Sequence, residues 1–347
     1  GFQALLLEDA NGDNVAIGYQ SLRTLNAGAD AFNTAVGYFS GTSLNTGTQN
    51  TIIGAEAGTS LTTGTRNELI GYQAGDALVG GQQNVAIGRS SLTTDVEGQR
   101  SVAIGTGALQ TQNFSSATST YNTAVGHSAG ISVSTGVSNT LIGGLAGDAI
   151  SDSDGNTAIG RGALSAEQQG NKSTAVGWQA LLSANRGSSG DSFNTAVGYN
   201  AGSGINTGLK NTFIGGGSGS AVTSGDANTI LGAYNGNSSG LDIRTDSKRV
   251  VISDGDGIPA GVWDGAINKW QFNSYVAVSD GNFHSAFGGG QASNNNACGF
   301  VFLSCGSDDD RTGLYWEQEG VINTRMWIDD TGDLRVFSGN PTADNSG

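Results

Sequence analysis

Basic residues are scarce in this chain: 15 Lys and Arg stand against 30 Asp and Glu, a formal net charge of −15. With no basic stripe to neutralise phosphates, nucleic acid is excluded as a partner, and an anionic membrane surface is opposed for the same reason. No apolar run approaches the ~20 residues of a transmembrane helix, so membrane insertion is not expected. The only histidines are His127 and His284, and neither has a Ser or Cys nucleophile signature near it, so a catalytic triad would lack its base. Gly-x-Gly pairs abound, but none belongs to the phosphate-cradling GxxxxGK[ST] pattern. Cys298 and Cys305 lie seven residues apart in a run that reads as one strand. They would face opposite sides of it and are expected as buried free thiols. With 2 Pro, 1 Met and 13% charged residues against 58 Gly, the composition describes turns and short strands rather than a conventional enzyme domain. The chain opens on Gly1 without a signal peptide, as expected of a fragment or a processed product.

What the chain has instead is repetition. A variant of Asn-Thr-Ala-Val-Gly begins at Asn14, Asn33, Asn50, Asn67, Asn84, Ser101, Asn122, Asn139, Asn156, Ser173, Asn194, Asn211 and Asn228. Nine of these twelve intervals are seventeen residues, and the others are nineteen, twenty-one and twenty-one. A fixed short period marks a solenoid whose units stack into one long core. Seventeen residues are too few for a helical pair. The signature runs are rich in β-branched residues and bounded by Gly, which costs about 1 kcal/mol in a helix interior, so each repeat is one coil of β-structure.

Counting the motif Asn as place one, place eight is small in twelve of thirteen copies, from Ser21 and Ser40 to Ala201 and Ser218, and points into a tight space. Place nine is Gly or Leu. Where it is Gly, place twelve is aliphatic in seven of eight copies, as in Leu44, Leu61, Leu78 and Val133. Where it is Leu, at positions 22, 92, 109, 164 and 181, place twelve is Leu25, Asp95, Gln112, Glu167 and Ala184. One large side chain is expected to fill the same volume from either backbone position. A coil this small encloses a thin core, and a lone ribbon of coils would leave apolar and edge surface in water, so self-association into a homotrimer is expected. Thirteen coils about 4.8 Å apart would make a rod on the order of 60 Å long.

Asn-Val-Ala-Ile-Gly (Asn14 to Gly18, Asn84 to Gly88), Ser-Val-Ala-Ile-Gly (Ser101 to Gly105) and Asn-Thr-Ala-Ile-Gly (Asn156 to Gly160) resemble the head repeat of trimeric autotransporter adhesins. The resemblance covers roughly residues 14 to 236. It implies a left-handed parallel β-roll assembled as a trimer, a repeat that also occurs in bacteriophage tail fibres. The period of seventeen exceeds the family's usual coil, so a wider loop is expected.

The expected fold is therefore all-β, with a lead-in at 1–13 and a parallel β-roll or β-solenoid of about thirteen coils at 14–240. A smaller antiparallel β-rich, knob-like domain is expected at 241–340, then a frayed tail at 341–347. After Gly240 the signature disappears and four of the five Trp appear, at 263, 270, 316 and 327. Strands joined by Asp/Gly turns are expected there, as at Val250 to Gly257 and Trp327 to Leu334.

The place after the motif Gly is the repeated position with no settled size. It holds Tyr19, Tyr38, Tyr72, His127, Trp178 and Tyr199 among others, and is expected on the outer wall. Such a row would stack on sugar rings or lie flat over neighbouring coils. The long intervals end in Phe32, Tyr121 and Phe193, expected to pin bulging loops back onto the coil. Carboxylate pairs for glycan cleavage would come from Asp308 to Asp310, Glu317 and Glu319 beside Trp316, or Asp329 and Asp330, against the plainer reading of strand edges and turns. Asp9 to Asp13 and Asp152 to Asn156 carry alternate oxygen ligands, but lack the distal Glu of a calcium loop and read as Asx turns. No cofactor or metal is expected.

The sequence thus points to a structural and adhesive fibre rather than an enzyme: a homotrimeric tail-fibre shaft on a virion, contacting a host cell-surface glycan or protein receptor through Tyr19, Tyr38, Tyr72, His127, Trp178, Tyr199, Trp316 and Glu317. The alternatives are a bacterial trimeric surface adhesin and a tailspike-like glycan hydrolase with C-terminal acids. An ice-binding solenoid is disfavoured because Val15, Glu68, Val85 and Val102 interrupt the Thr row.

Overall fold

A computed structural model of the chain describes residues 1–8, 12–28 and 30–272, together with the strands Gly313–Gln318, Val321–Ile328 and Leu334–Ser338. It is all-β, without a helix among the described residues. The chain divides into two compact units, Gly1–Ile258 and Pro259–Gly347.

The first unit is a β-solenoid of about 14 turns. Each signature forms a three-residue strand that pairs in parallel with the next at the same place, so that Thr51 opposes Glu68, Ile52 opposes Leu69 and Ile53 opposes Ile70. The stack outlasts the signature at both ends. Arg249–Ser253 pairs in parallel with Thr229–Leu231, Val251 opposite Ile230, although its first residue is Arg rather than Asn. Gly240, where the composition changes, therefore falls inside the first unit. At the other end Gly1 to Leu5 repeat the course of Gly18 to Leu22: Leu5 donates its backbone N–H to Ser21 as Leu22 does to Ser40, each at 3.1 Å.

Alternation along the strand decides what is buried. From Ala35 to Val251, place three is fully buried in every coil, and so are the twelve small residues at place eight. The exchange between places nine and twelve has a geometric cause. A Cβ built on Gly75 would lie 2.8 Å from Leu69 Cδ2 and 2.9 Å from Leu78 Cδ1; one on Gly147 would meet Leu141 and Ile150 likewise. Places three, nine and twelve thus share one volume. Where place three is large (Ile52, Leu69, Leu141, Phe213, Ile230), place nine is Gly; where place nine is Leu, place three is Ala. Close packing admits no coil with both.

Place one carries a ladder of buried amides. Asn50 Nδ2 donates to Gly64 O at 2.9 Å within its own coil and to Asn33 Oδ1 at 3.1 Å in the coil before, while its backbone N–H also donates to Asn33 Oδ1 at 2.9 Å. The pattern recurs at Asn67, Asn139 and Asn211. Each Asn satisfies the backbone of two coils. Coil corners use left-handed backbone at places seven and nine and just before each Asn, as in Gln73 (φ 56), Leu92 (φ 51) and Arg66 (φ 58). For residues with a Cβ this conformation costs about 1–2 kcal/mol each. Contacts between coils hold it: Arg66 N–H bonds Thr48 O and Gln73 N–H bonds Ala55 O.

In the second unit, Pro259–Asp264 pairs antiparallel with Lys269–Phe272, setting Trp263 opposite Trp270 with ring centroids 5.8 Å apart. Gly313–Gln318, Val321–Ile328 and Leu334–Ser338 form an antiparallel three-stranded sheet. Cys298, Cys305, His284, Asp308 to Asp310, Glu319, Asp329, Asp330 and the 341–347 tail lie outside the described residues.

Candidate attachment surface

The outward places of the strand build a wall. Place two is mostly Thr and half-buried; place four holds Ile, Val or Leu in every coil from Ile17 to Ile252. Ile17, Ile53, Ile142, Ile159, Val197, Ile214, Leu231 and Ile252 are exposed. Because the strands are in register, these side chains form one continuous apolar row, a feature that period and propensity alone did not assign to the surface. Rows of this kind mark interaction sites.

Around the Gly corner lies the row of place six. Tyr19, Tyr38, Tyr72, His127, Trp178 and Tyr199 are all exposed there. Neighbouring rings stack on one another: Phe2 on Tyr19 at 5.6 Å, Tyr19 on Tyr38 at 5.4 Å, and Trp178 on Tyr199 at 4.9 Å with 6° between planes. Beyond Tyr199 the next coil holds Gly216 and Gly217, where an added Cβ would have nothing within 4 Å. Tyr199, stacked on Trp178 on one side, has no side chain at place six of the coil on the other and is 60% exposed. Tyr72 lies beside Glu56, whose carboxylate raises the Tyr72 hydroxyl above its ordinary pKa. Trp316 and Glu317 fall on Gly313–Gln318, where the pairing register shifts between them; their side chains are outside the described residues.

The two twenty-one-residue coils are built alike. In each, a short extra strand pairs with the coil before, Gly98–Gln99 with Thr118–Ser119 and Gly170–Asn171 with Gly190–Asp191. Tyr121 and Phe193 meet the coil on its outer surface. Both rings are exposed and lie under cations, Arg100 at 5.7 Å and Lys172 at 5.5 Å. The anchor is polar and buried. Asp95 Oδ1 accepts the N–H of Gly98 at 3.1 Å and of Phe114 at 3.0 Å, and Oδ2 accepts Gln112 Nε2 at 2.6 Å. Burial raises the Asp95 carboxyl above the usual range despite these donors. The signal was present in the sequence as acids at place twelve, Asp95 and Glu167, each preceding a coil that starts with Ser.

The calcium-like run at Asp152 to Asn156 is used by the coil itself. Ser153 Oγ donates to Gln168 O at 2.8 Å, Asp154 Oδ1 accepts Val137 N–H at 2.7 Å, and Asn156 belongs to the amide ladder. Among the described residues no group of three or more His, Cys, Asp or Glu converges on a metal-sized site, and no helix is long and apolar enough to cross a membrane. Asp9, Ala10 and Asn11 lie outside the described residues. Comparison with protein-family models, curated proteins and solved structures gives no match to this chain.

Proposed function

We propose that the chain is a structural and adhesive fibre protein of the tail-fibre kind. Its solenoid associates as a homotrimer, and the assembly attaches to a host cell-surface glycan or protein. The observation that carries this reading is the apolar row at place four, one aliphatic side chain per coil, in register and facing water in a single copy. These side chains are at most 59% exposed, so covering each is worth roughly half or less of the about 1.5–3 kcal/mol of full burial, a gain repeated along the row. A flat face of this kind is suited to another copy of itself, because identical spacing matches coil to coil. The exposed ring of Tyr199 suits the C–H face of a sugar ring, and three weak sites on one trimer would bind with useful avidity. Native mass and electron microscopy test the first part: three copies side by side are expected, and a monomer at micromolar concentration would sink it. Tyr199→Ala tests the second, with weaker attachment to host cells expected at an unchanged melting temperature.

A further inference from the structure

The two polar anchors differ at one point, and the difference points to a bound molecule. Corresponding residues are Asp95 and Glu167, Ser101 and Ser173, Gln112 and Ala184, Thr120 and Ser192, Asn122 and Asn194. Two backbone donors correspond: Glu167 Oε1 accepts the N–H of Gly170 at 2.7 Å and of Arg186 at 3.3 Å, as Asp95 Oδ1 accepts those of Gly98 and Phe114, and Glu167 Oε1 also accepts Gln169 N–H at 3.3 Å.

What is missing is a counterpart of the Gln112 amide. In the first anchor its Nε2 donates to Asp95 Oδ2 at 2.6 Å and to Ser101 Oγ at 2.8 Å, and its Oε1 accepts Asn122 Nδ2 at 2.9 Å; Ser101 and Thr120 share a further hydrogen bond at 2.6 Å. In the second, Ala184 supplies nothing. Ser173 Oγ and Ser192 Oγ are buried without a partner, and both residues are about 1% exposed, as is Glu167. Ser192 Oγ and Glu167 Oε2 share one space: a Cβ on Gly170 would touch both, the latter at 2.6 Å. Gln to Ala removes four heavy atoms and Thr to Ser one, while Asp to Glu restores one. The net loss of four heavy atoms leaves room for at least one water molecule of ~30 Å³.

We propose that a water molecule is bound inside the solenoid between Glu167, Ser173 and Ser192, standing where the Gln112 amide stands in the sister coil. It donates to Glu167 Oε2 and to one serine oxygen, and accepts from the other hydroxyl. Orphaned buried hydroxyls cost about 1–3 kcal/mol each, whereas a water with two to four polar partners removes that cost. The neutral amide holding Asp95 shows that an acid in this setting needs no cation beside it.

A crystal structure of the whole chain in a sodium-free, rubidium-containing buffer tests this. The expected result is one density peak at hydrogen-bond distance from Glu167 Oε2 and a serine Oγ, without anomalous rubidium signal. Ala184→Gln is expected to abolish the peak and place its own amide there. No peak in the parent, with the serines bonded to protein groups, overturns the proposal, as does an anomalous peak marking a monovalent cation. Gln112→Ala is a mirror test, expected to create a matching peak beside Asp95.

Discussion

Asn67 Oδ1 accepts the backbone N–H of Asn84 at 3.0 Å, one full coil further along the chain. The same side chain donates to Gly81 O at 2.9 Å and to Asn50 Oδ1 at 3.1 Å, all of them buried. Asn67→Ala leaves Gly81 O and Asn84 N–H without these partners, each a loss of about 1–3 kcal/mol, while Asn50 Oδ1 keeps the backbone N–H of residue 67 at 3.0 Å. Urea titration is expected to show a fall of about 3 kcal/mol or more, with amide exchange accelerated first at Asn84. Equal protection in variant and parent would remove the ladder from the list of stabilising features. Asn67→Asp should be worse at neutral pH than at pH 4, because a carboxylate has no hydrogen to give Gly81 O and is buried as a charge.

The shared volume of places three, nine and twelve predicts a reversal of sign. Gly75→Leu drives a side chain into Leu69 and Leu78 and should destabilise by about 3 kcal/mol. Leu69→Ala alone should also destabilise, by about 2–5 kcal/mol. Together they recreate the arrangement of Ala16, Leu22 and Leu25 in the first coil. The double variant is expected to be more stable than Gly75→Leu alone; simple additivity in the cycle would refute the shared volume.

Much of this was legible beforehand. Period, strand, the small place eight and the exchange at nine and twelve all follow from side-chain size, which sequence displays directly. The left-handed corners did not, since Gln73 and Arg66 are residue types without a preference for positive φ; neighbouring coils impose it. Nor did the coil of Arg249–Ser253, which lacks both Asn and Gly and is recognised only by its pairing. The apolar row went unassigned because a three-residue strand is too short for alternation to reveal its faces. The cations that the long-loop aromatics meet, Arg100 over Tyr121 and Lys172 over Phe193, lie a coil away and have no mark in the sequence.

Charge on the apolar row should separate association from folding. Ile142→Lys with Ile159→Lys places two cations on an outward face of adjacent coils, where each parent side chain is only partly buried. Circular dichroism and melting of the isolated chain should change little, while native mass drops to that of one copy. A trimer that persists unchanged would move the interface elsewhere.

Asp95 makes a pH prediction. Its carboxyl is raised in the folded chain above the 3.8 of the unfolded one, chiefly by burial. The protonated form is thus favoured by folding. Its contribution is fully present below about pH 3.8 and is lost as pH rises through the higher folded-state value. Asp95→Asn, which cannot ionise, is expected to flatten the slope of melting temperature against pH above 4. An unchanged slope would assign the dependence to other acids.

The place-to-place pairing of coils also makes length a discrete quantity. Each ladder Asn bonds within its own coil and to the adjoining turns and no further, so the solenoid has no memory of how many turns precede it. Excising one seventeen-residue unit, Thr51 to Asn67, joins Asn50 directly to Glu68 and renews every ladder partner, because Glu68 already stands opposite Thr51 at the same place. A deletion one residue shorter leaves an eighteen-residue coil, whose surplus residue must bulge from a turn as the extra residues of the longer coils do if the strands are to keep their register. The reach of this protein can therefore change by whole steps without new contacts being invented, and gain or loss of repeats is the natural route by which its span would be adjusted.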